Sequence, residues 1–520
     1  MIASRTSAAS AIRASSSGEG ASGEVKSGVV MGDRLTEASG AAKGTARRYL
    51  SIIPLRSPTL TATDPASLTR DRAVRQAYSA DASGLTMLPD AVARPTTAAE
   101  VVELIHQAAV EGMSVTAAGG QSSMTGGSIT DRGMLLSLRG MAKILDIDRR
   151  RMTARVEPGI LVGDLKRALA LEGLLFAPDP TSEEEAALGG SIACNASGAR
   201  SLRYGATRRH VSGLSVVLAS GEQLEVSRTR LEKNTVGYAA IHDPIDWFIG
   251  SEGTLGIVVA AELSLLPLPE RVTGLGFPFP GDAEALAFVV AAREATAAGR
   301  IAPRCLEFLD AEALRIVRSQ EGGSGHAGGA FIYTEEESRG DATPDFDAWL
   351  ALAEAHGALV DDVLVFDDDA KIRTARLLRH AVPATMLEHG NAFAAEGGRR
   401  LATDWAVPYP RLAEAIGIAR AAVAEHGVAV PTIYGHAGNG HPHMDFVARN
   451  ADEVHAVEET IAAILRPILA MGGTVAAEHG IGKIKQRWMG MQLTAQQRAV
   501  MQGIKQALDP AGMMAPGNIF

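Results

Sequence analysis

Cysteine is almost missing from this chain. Cys194 and Cys305 are the two in 520 residues. That excludes a disulfide framework, argues against a cysteine-based metal site or redox pair, and fits a reducing compartment. Long apolar runs are missing too: no uninterrupted stretch is long enough to span a bilayer, which leaves attachment to a membrane surface open. Positive charge is in deficit. The formal net charge of −10 gives no electrostatic reason to expect a nucleic acid partner, although the basic cluster 200–209 has the composition to hold a small anion. Large apolar residues are scarce from Met1 to Thr63, and the first acidic residue is Glu19. An Arg/Ser-rich, acid-poor start resembles an organelle transit peptide. A disordered tail is the plainer reading, as is an over-extended start with Met31 as an internal candidate. The missing apolar core after the early arginines argues against a secretory signal. The expected location is cytoplasmic or peripheral to a membrane, with organelle targeting the minority alternative.

What remains is ordinary globular material: 46% apolar and 21% charged residues over a length that calls for two or three domains. Order begins near Asp64-Pro65. Helical spacing predicts helices over 66–78, 98–111 and 161–172, the second opened by Thr97 with Glu100 three residues on, as in a capping box. Strands are expected at 113–117, 134–138 and 152–156, and a hairpin pairs 214–218 with 223–226 around Ala219-Ser220-Gly221-Glu222. Leu266-Pro267-Leu268-Pro269 is a natural domain boundary. Beyond it lie helices at 282–298, 374–380, 410–426 and 452–471 and strands at 331–334 and 363–366, an α+β region. Neither an internal repeat nor a coiled-coil heptad is evident.

Three stretches are rich in glycine. Gly119-Gly120-Gln121-Ser122-Ser123-Met124-Thr125-Gly126-Gly127 has the composition of a phosphate cradle, and equally that of a Gly/Ser connecting loop. The small-residue segment 178–198 lets backbone approach something flat and large, although tight packing selects the same residues. The third runs from Ile249 into an apolar strand. Ionisable chemistry concentrates elsewhere, in Gly435-His436-Ala437-Gly438-Asn439-Gly440-His441-Pro442-His443 and in Ala477-Glu478-His479-Gly480. Imidazoles and a carboxylate suit a borderline metal such as zinc, and a histidine left over can move protons near neutral pH.

Seven segments, in order, resemble the flavin-linked 2-hydroxy-acid dehydrogenases of the vanillyl-alcohol oxidase type, nearest the branch acting on D-lactate, glycolate and D-2-hydroxyglutarate. They are residues 119–127, 179–198, 203–208, 249–258, 436–443 and 478–483, and the tail Pro516-Gly517-Asn518. The resemblance implies an α+β fold: a two-subdomain FAD-binding domain over 64–269 and an α+β substrate cap carrying the metal site over 270–500. A C-terminal segment, 501–520, returns to the FAD domain, and 1–63 stays outside as an extension. It implies that Gly119, Gly120, Gln121, Ser122, Ser123, Thr125 and Gly126 receive the FAD pyrophosphate. Asp179, Thr181, Gly189, Gly190 and Asn195 would surround the cofactor, with Gly253, Gly256 and Ile257 near its adenine half or backbone. The usual Arg-Gly-Gly-Gly-Thr is here Ala118-Gly119-Gly120-Gln121-Ser122, which alters contacts without abolishing the cradle. Ser122 stands where some relatives carry a flavin-linking histidine, so FAD is expected to be noncovalent.

By the same resemblance His436, His443 and Glu478 are metal ligands, zinc first among the candidates, and His479 is the catalytic base. The adjacency of Glu478 and His479 is awkward, because neighbours in a strand point to opposite faces; Gly480 permits the turn that would bring them together. His441 departs from the family, and contact with substrate is the role expected for it, with ligation or support of a ligand as alternatives. Arg379 matches a position that grips the substrate carboxylate. Asp445, where relatives often carry Asn, disfavours a dicarboxylate unless a metal or arginine compensates. Trp405 and Tyr409 are pocket lining or core. The implied reaction oxidises a D-2-hydroxy acid, D-lactate-like, by hydride transfer to flavin N5. The implied partners are the acid and an electron acceptor (quinone, cytochrome or electron-transfer flavoprotein), with a homodimer open. An oxygen-using alcohol or aromatic oxidase and a non-catalytic flavin-binding subunit are the competing readings.

Overall fold

Leu266–Pro267 stands between two differently built halves. The computed structural model describes residues 68–229, 231–320 and 328–520. The expectations for 1–63 lie outside the described residues, as does the start of the helix expected over 66–78; its described part is Arg72–Ala77.

Before the boundary, a parallel sheet is built from Ala91–Ala93, Met134–Ser137 and Val115–Ala118, with Met134–Ser137 in the middle. Helix Ala98–Glu111 covers it with the stripe that its spacing predicts, burying Val101, Leu104, Ile105 and Ala108. Thr97 caps the helix by accepting from Glu100 N. The reciprocal half of the capping box is displaced: Glu100 accepts instead from the N–H and hydroxyl of Thr96, two donors on one residue. An antiparallel sheet follows in the order Ile144–Asp148, Thr153–Val156, Ile257–Ser264, Val211–Val217, Gln223–Ser227. The expected hairpin is its last pair, and helix Val162–Leu171 packs against it through Val162, Leu165 and Leu169.

After the boundary the strands form one antiparallel sheet in the order Leu364–Phe366, Arg271–Phe279, Ala330–Ser338, Pro303–Leu309, Thr432–His436, His441–Asn450, Gly397–Ala402. Period-two alternation divides its side chains. Leu306, Phe308, Ile332, Ile433, Met444 and Phe446 face a large core with helices Asp282–Ala297, Phe346–Ala355, Leu412–His426 and Ala451–Ala470. Cys305, Leu309, Phe331, Tyr333 and Tyr434 face the other way, toward helices Ala311–Gln320 and Asp369–Asn391. That second face carries the polar site. The helix expected at 374–380 extends both ways, to Asp369–Asn391: Asp368 caps an earlier start by accepting from Lys371 N, and Pro383 does not end it. Losing one i→i−4 bond is outweighed by burial of Ile372, Val382 and Met386.

Candidate active site

The hairpin of Thr432–His436 and His441–Asn450 sets His436 opposite His441 and Tyr434 opposite His443. Cross-strand partners and alternate residues share a face, so three imidazoles gather on one side. Their ring centroids lie 5.5 Å (His436–His441), 4.6 Å (His441–His443) and 5.3 Å (His436–His443) apart. Gly435 makes room: its φ is +128°, and a Cβ there would come within 2.9 Å of the His443 ring. Glu478 arrives from a separate loop. Its Oε1 lies 3.2 Å from His443 Nε2 and 3.5 Å from His436 Nε2, and its Oε2 accepts from Ser197 Oγ at 3.1 Å. One ligand atom from each of His436, His441, His443 and Glu478 falls within 4.8 Å of the others.

Charges outside the cluster fix the rings. His436 Nδ1 meets Glu307 Oε1 at 2.7 Å, which leaves Nε2 facing inward, buried and without a hydrogen bond. Burial alone would push His436 down; Glu307 and Glu478 outweigh it and raise it to about 10. Burial pushes His443 down to about 3, so its ring is neutral with a lone pair available. Two carboxylates thus draw a proton to the place where inward-facing nitrogen and oxygen donors converge. A divalent cation fits that place, because it satisfies the orphaned Nε2 and the Glu478 carboxylate together.

His479 stacks on His443, with centroids 5.3 Å apart and rings 10° from parallel. Its Nδ1 lies 3.7 Å from Asp404 Oδ1. Burial lowers its pKa, with Asp404 opposing, so the ring is a neutral base at neutral pH. Arg379, on helix Asp369–Asn391, donates Nε to Glu307 at 3.0 Å. Its guanidinium carbon sits 5.1 Å from the Tyr434 ring centroid, and its Nη2 is buried with no partner. Such an atom suits an incoming carboxylate. His441 Nε2 faces Asp404 Oδ1 at 3.1 Å, outside hydrogen-bond geometry.

Asp445 does not present a free charge. Arg400 donates to it twice, at 3.0 and 2.9 Å, and Tyr434 Oη donates at 2.9 Å. The expectation that Asp445 disfavours a dicarboxylate therefore loses its basis: an arginine neutralises the residue. Trp405 is core, fully buried among apolar residues, with Nε1 lacking a hydrogen-bond partner. Tyr409 lies under Arg293, whose guanidinium carbon is 4.4 Å from the ring centroid.

The glycine-rich stretches meet one another. Gly119 packs on Ala187, and a Cβ on it would stand 3.8 Å from Gly190 N; a Cβ on Gly120 would overlap the Glu185 carbonyl. A Cβ on Gly190 would meet nothing within 4 Å. Two backbone segments thus lie side by side with open space above the second, a cradle that suits a flat cofactor with a pyrophosphate. Ser123 Oγ accepts from Thr125 N and Gly127 N, and Ser122 is half-buried beside it. Gln121, at φ +55°, turns its side chain away to the carbonyls of Tyr78 and Ala80. Asp179 is ion-paired with Arg200, Thr181 lies on an exposed turn, and Asn195 Oδ1 accepts from Arg208 N. Gly189 packs on Pro158, Gly253 lies by Ala515, and Gly256 packs tightly on Val216. The Ile257 side chain is core. The cradle and the histidine cluster touch: Thr125 Oγ1 donates to the His479 carbonyl at 3.3 Å, and Lys483 Nζ bridges the Gly126 carbonyl at 3.1 Å to Asn518 Oδ1 at 2.6 Å. Asn518 Nδ2 reaches the Gly127 carbonyl at 2.8 Å, so the C-terminal tail lies at this junction.

Sequence reasoning missed Glu307, Asp404, Ser197, Arg400, Lys485 and Glu252, all in contact with the residues above or with their backbone. A signal existed for Glu307, a lone acid in the apolar run Cys305-Leu306-Glu307-Phe308-Leu309. A buried strand tolerates a charge only where it is paired.

Two family models match the chain: "FAD binding domain" over residues 89–227 and "FAD linked oxidases, C-terminal domain" over 268–519. The glycolate oxidase subunit GlcD of Bacillus subtilis is 30% identical, over 88% of this chain and 94% of its own length. A D-lactate dehydrogenase of Anaerostipes hadrus and a D-2-hydroxyglutarate dehydrogenase of Xanthomonas citri pv. viticola are each 30% identical, over 83% of this chain and 89% of theirs. Among solved structures, one of alkyldihydroxyacetonephosphate synthase superimposes with a TM-score of 0.65 at 19% identity, over 90% of this chain and 84% of that one, a likeness of fold. Matched over most of its length by relatives of this kind, and by family models for both halves, the chain belongs to the FAD-linked 2-hydroxy-acid dehydrogenases.

Proposed function

We propose that this protein oxidises a D-2-hydroxy acid to the 2-keto acid, using noncovalent FAD and one divalent metal ion, with zinc the first candidate. The observation that carries the reading is the convergence of His436, His443 and Glu478 beside a neutral His479 and an arginine with a free buried donor. When bound, FAD supplies the two-electron acceptor, and the metal supplies a Lewis acid for the substrate oxygens. His436 Nε2, His443 and Glu478 hold the ion, with Glu307 fixing the His436 ring from behind. A catalytic site keeps a position open, whereas four protein donors would close it. His441 Nε2 is turned toward Asp404, so His441 is assigned to the substrate side.

Arg379 then receives the substrate carboxylate on Nη2 while Glu307 keeps its Nε in place. His479 removes the hydroxyl proton as the hydrogen leaves C2. Each of its ring nitrogens faces a carboxylate, Nδ1 that of Asp404 at 3.7 Å and Nε2 that of Glu478 at 3.6 Å; with Glu478 committed to the metal, Nε2 is the nitrogen left to accept the proton. Substrate-pocket charge no longer separates mono- from dicarboxylates, since Asp445 is neutralised.

The deciding measurement is anaerobic bleaching of the flavin by a panel of D- and L-2-hydroxy acids, with metal content determined on the same sample. Bleaching by D-acids that fails after chelation and returns with metal supports the reading; equal bleaching of the chelated protein overturns the metal's role. The Bacillus relative is named a subunit, which favours a second reading in which the chain works inside a larger dehydrogenase. Turnover by the purified chain with an artificial acceptor decides between the two.

A further inference from the structure

The turn carrying Glu478 and His479 is gripped from two sides by buried carboxylates. Asp404 accepts from the N–H groups of Glu478 at 3.1 Å and His479 at 3.0 Å, and the Lys485 ammonium seats on its Oδ2. Glu252, in the glycine-rich turn before Ile257–Ser264, accepts from Ile481 N at 2.6 Å and Gly482 N at 2.7 Å. Gly480 lies between the two grips at φ +78°, and a Cβ there would stand 2.8 Å from Glu252 Oε1. Glu252 itself sits at φ +51°, a conformation that costs a non-glycine residue energy and persists where surroundings enforce it. The Asn518 amide secures it by donating to its carbonyl at 3.1 Å.

Adjacent residues of an extended chain diverge, yet Glu478 and His479 serve one cluster. Four N–H groups bound by two carboxylates account for the turn that makes this happen. We infer that Asp404 and Glu252 are positioning residues, a two-carboxylate clamp that aims Glu478 at the histidine cluster and presents His479 to the substrate. Asp404 has a second effect, since its Oδ1 also faces His441 Nε2 and His479 Nδ1. Asp404, Glu478 and His479 also have the spacing of a second cation site. The Lys485 ammonium already occupies Asp404 Oδ2, and a divalent ion beside it would be repelled. The clamp rests on the metal and base reading above.

The test uses the holoenzyme loaded with cobalt as a visible probe. In Asp404→Asn, flavin content per chain stays at the wild-type value and the cobalt absorption bands shift. Flavin reduction at saturating substrate falls about 10- to 100-fold, the range found when a group supporting a ligand is removed. The half-saturating concentration moves less than about threefold, because the lost interaction orients the reacting groups without binding substrate. Glu252→Gln changes the same quantities in the same direction by less. A wild-type rate per bound flavin together with a wild-type cobalt spectrum in Asp404→Asn overturns the clamp. Should Asp404→Asn not fold, Glu252→Gln decides: it puts a donor in place of one of the carboxylate oxygens that accept from Ile481 and Gly482 N–H, a loss of about tenfold is expected, and an unchanged rate with an unchanged cobalt spectrum overturns the inference. Wild-type protein that takes up no cobalt, or is reduced equally without it, defeats the metal reading instead, and the clamp is then judged on the reduction rate alone.

Discussion

The two halves of this molecule are built by opposite means for the ligands proposed for them. Around residues 119–127 and 187–190 the work falls to backbone, and what matters is the space that missing side chains leave: Gly119 and Gly120 lie hard against 185–187 while Gly190 opens outward. In the second half the work falls to charged side chains buried on one face of a sheet and in the loops beside it. Each is paired there: Glu307 with His436 and Arg379, Asp445 with Arg400, Asp404 with Lys485. Isolated, any of these charges would cost on the order of several kcal/mol, the penalty of an unpaired buried ion. Shape therefore governs the first region and charge the second. A change of volume should hurt the cradle, a change of charge should hurt the cluster, and neither should propagate except where the halves touch: Thr125 at the His479 carbonyl, Ser197 at Glu478, Glu252 at the backbone of 481–482 and Lys483 at Gly126.

The largest effect sharpens the second half of that contrast. His479→Ala removes the proposed base and none of the cradle, so flavin should be retained while its reduction by substrate falls about 10²- to 10⁴-fold, the usual contribution of a positioned proton acceptor. Rapid anaerobic mixing reads this directly, and normal reduction would remove His479 as base. Next comes the test most able to break the contrast. Gly120→Val drives side-chain carbons into the Glu185 carbonyl, overpacking that typically costs about 1–3 kcal/mol and here closes the loop toward its neighbour. Flavin per chain should fall sharply while metal per chain stays at the wild-type level; Glu478→Gln should do the reverse. Loss of both ligands in both variants would mean that the regions are one cooperative unit.

Legibility from sequence follows the same division. The first half announces itself locally: the helix Ala98–Glu111 has its stripe and its Thr97 cap, and the glycine runs stand out by composition. The histidines were legible because hairpin residues close in sequence are close in space. Glu307 and Asp404 were not, since they reach the cluster from strands and loops far along the chain, and only the sheet order places Pro303–Leu309 beside Thr432–His436. Asp445 shows the cost of reading a charge without its partner. Its sequence context suggested repulsion, and Arg400, across the neighbouring strand, cancels it. The helix expected at 374–380 is only the middle of Asp369–Asn391, for a related reason: burial of Ile372, Val382 and Met386 against the sheet carries it past Pro383.

A smaller effect probes the support behind the proposed metal ligands. Glu307→Gln keeps the shape and a hydrogen-bonding oxygen but loses the charge that raises His436 and holds Arg379. Metal affinity should fall about 10- to 100-fold, as is common when a ligand loses its carboxylate partner. Flavin content should not change. Competition against a graded chelator series measures it, and an unaltered affinity would show that the Glu307 contact is structural alone.

The smallest effect separates binding from chemistry inside the charged half. On the proposed reading Arg379 has two duties in one guanidinium: Nε is committed to Glu307, and Nη2, buried without a hydrogen-bond partner, is the atom assigned to the substrate. Lysine brings a single ammonium that cannot serve both from fixed positions. In Arg379→Lys the ammonium should settle on Glu307, because that carboxylate is buried and always present. The substrate then loses one charge-assisted hydrogen bond, worth about 1.5 kcal/mol or more, so KM should rise about tenfold or somewhat beyond. The limiting rate of flavin reduction should change little, since His479 and the proposed metal ligands are untouched. A fall in that limiting rate with KM unchanged would instead place Arg379 among the groups that stabilise the reacting state, and an unchanged value of both would return it to the set of buried arginines that merely balance the charge of this sheet face.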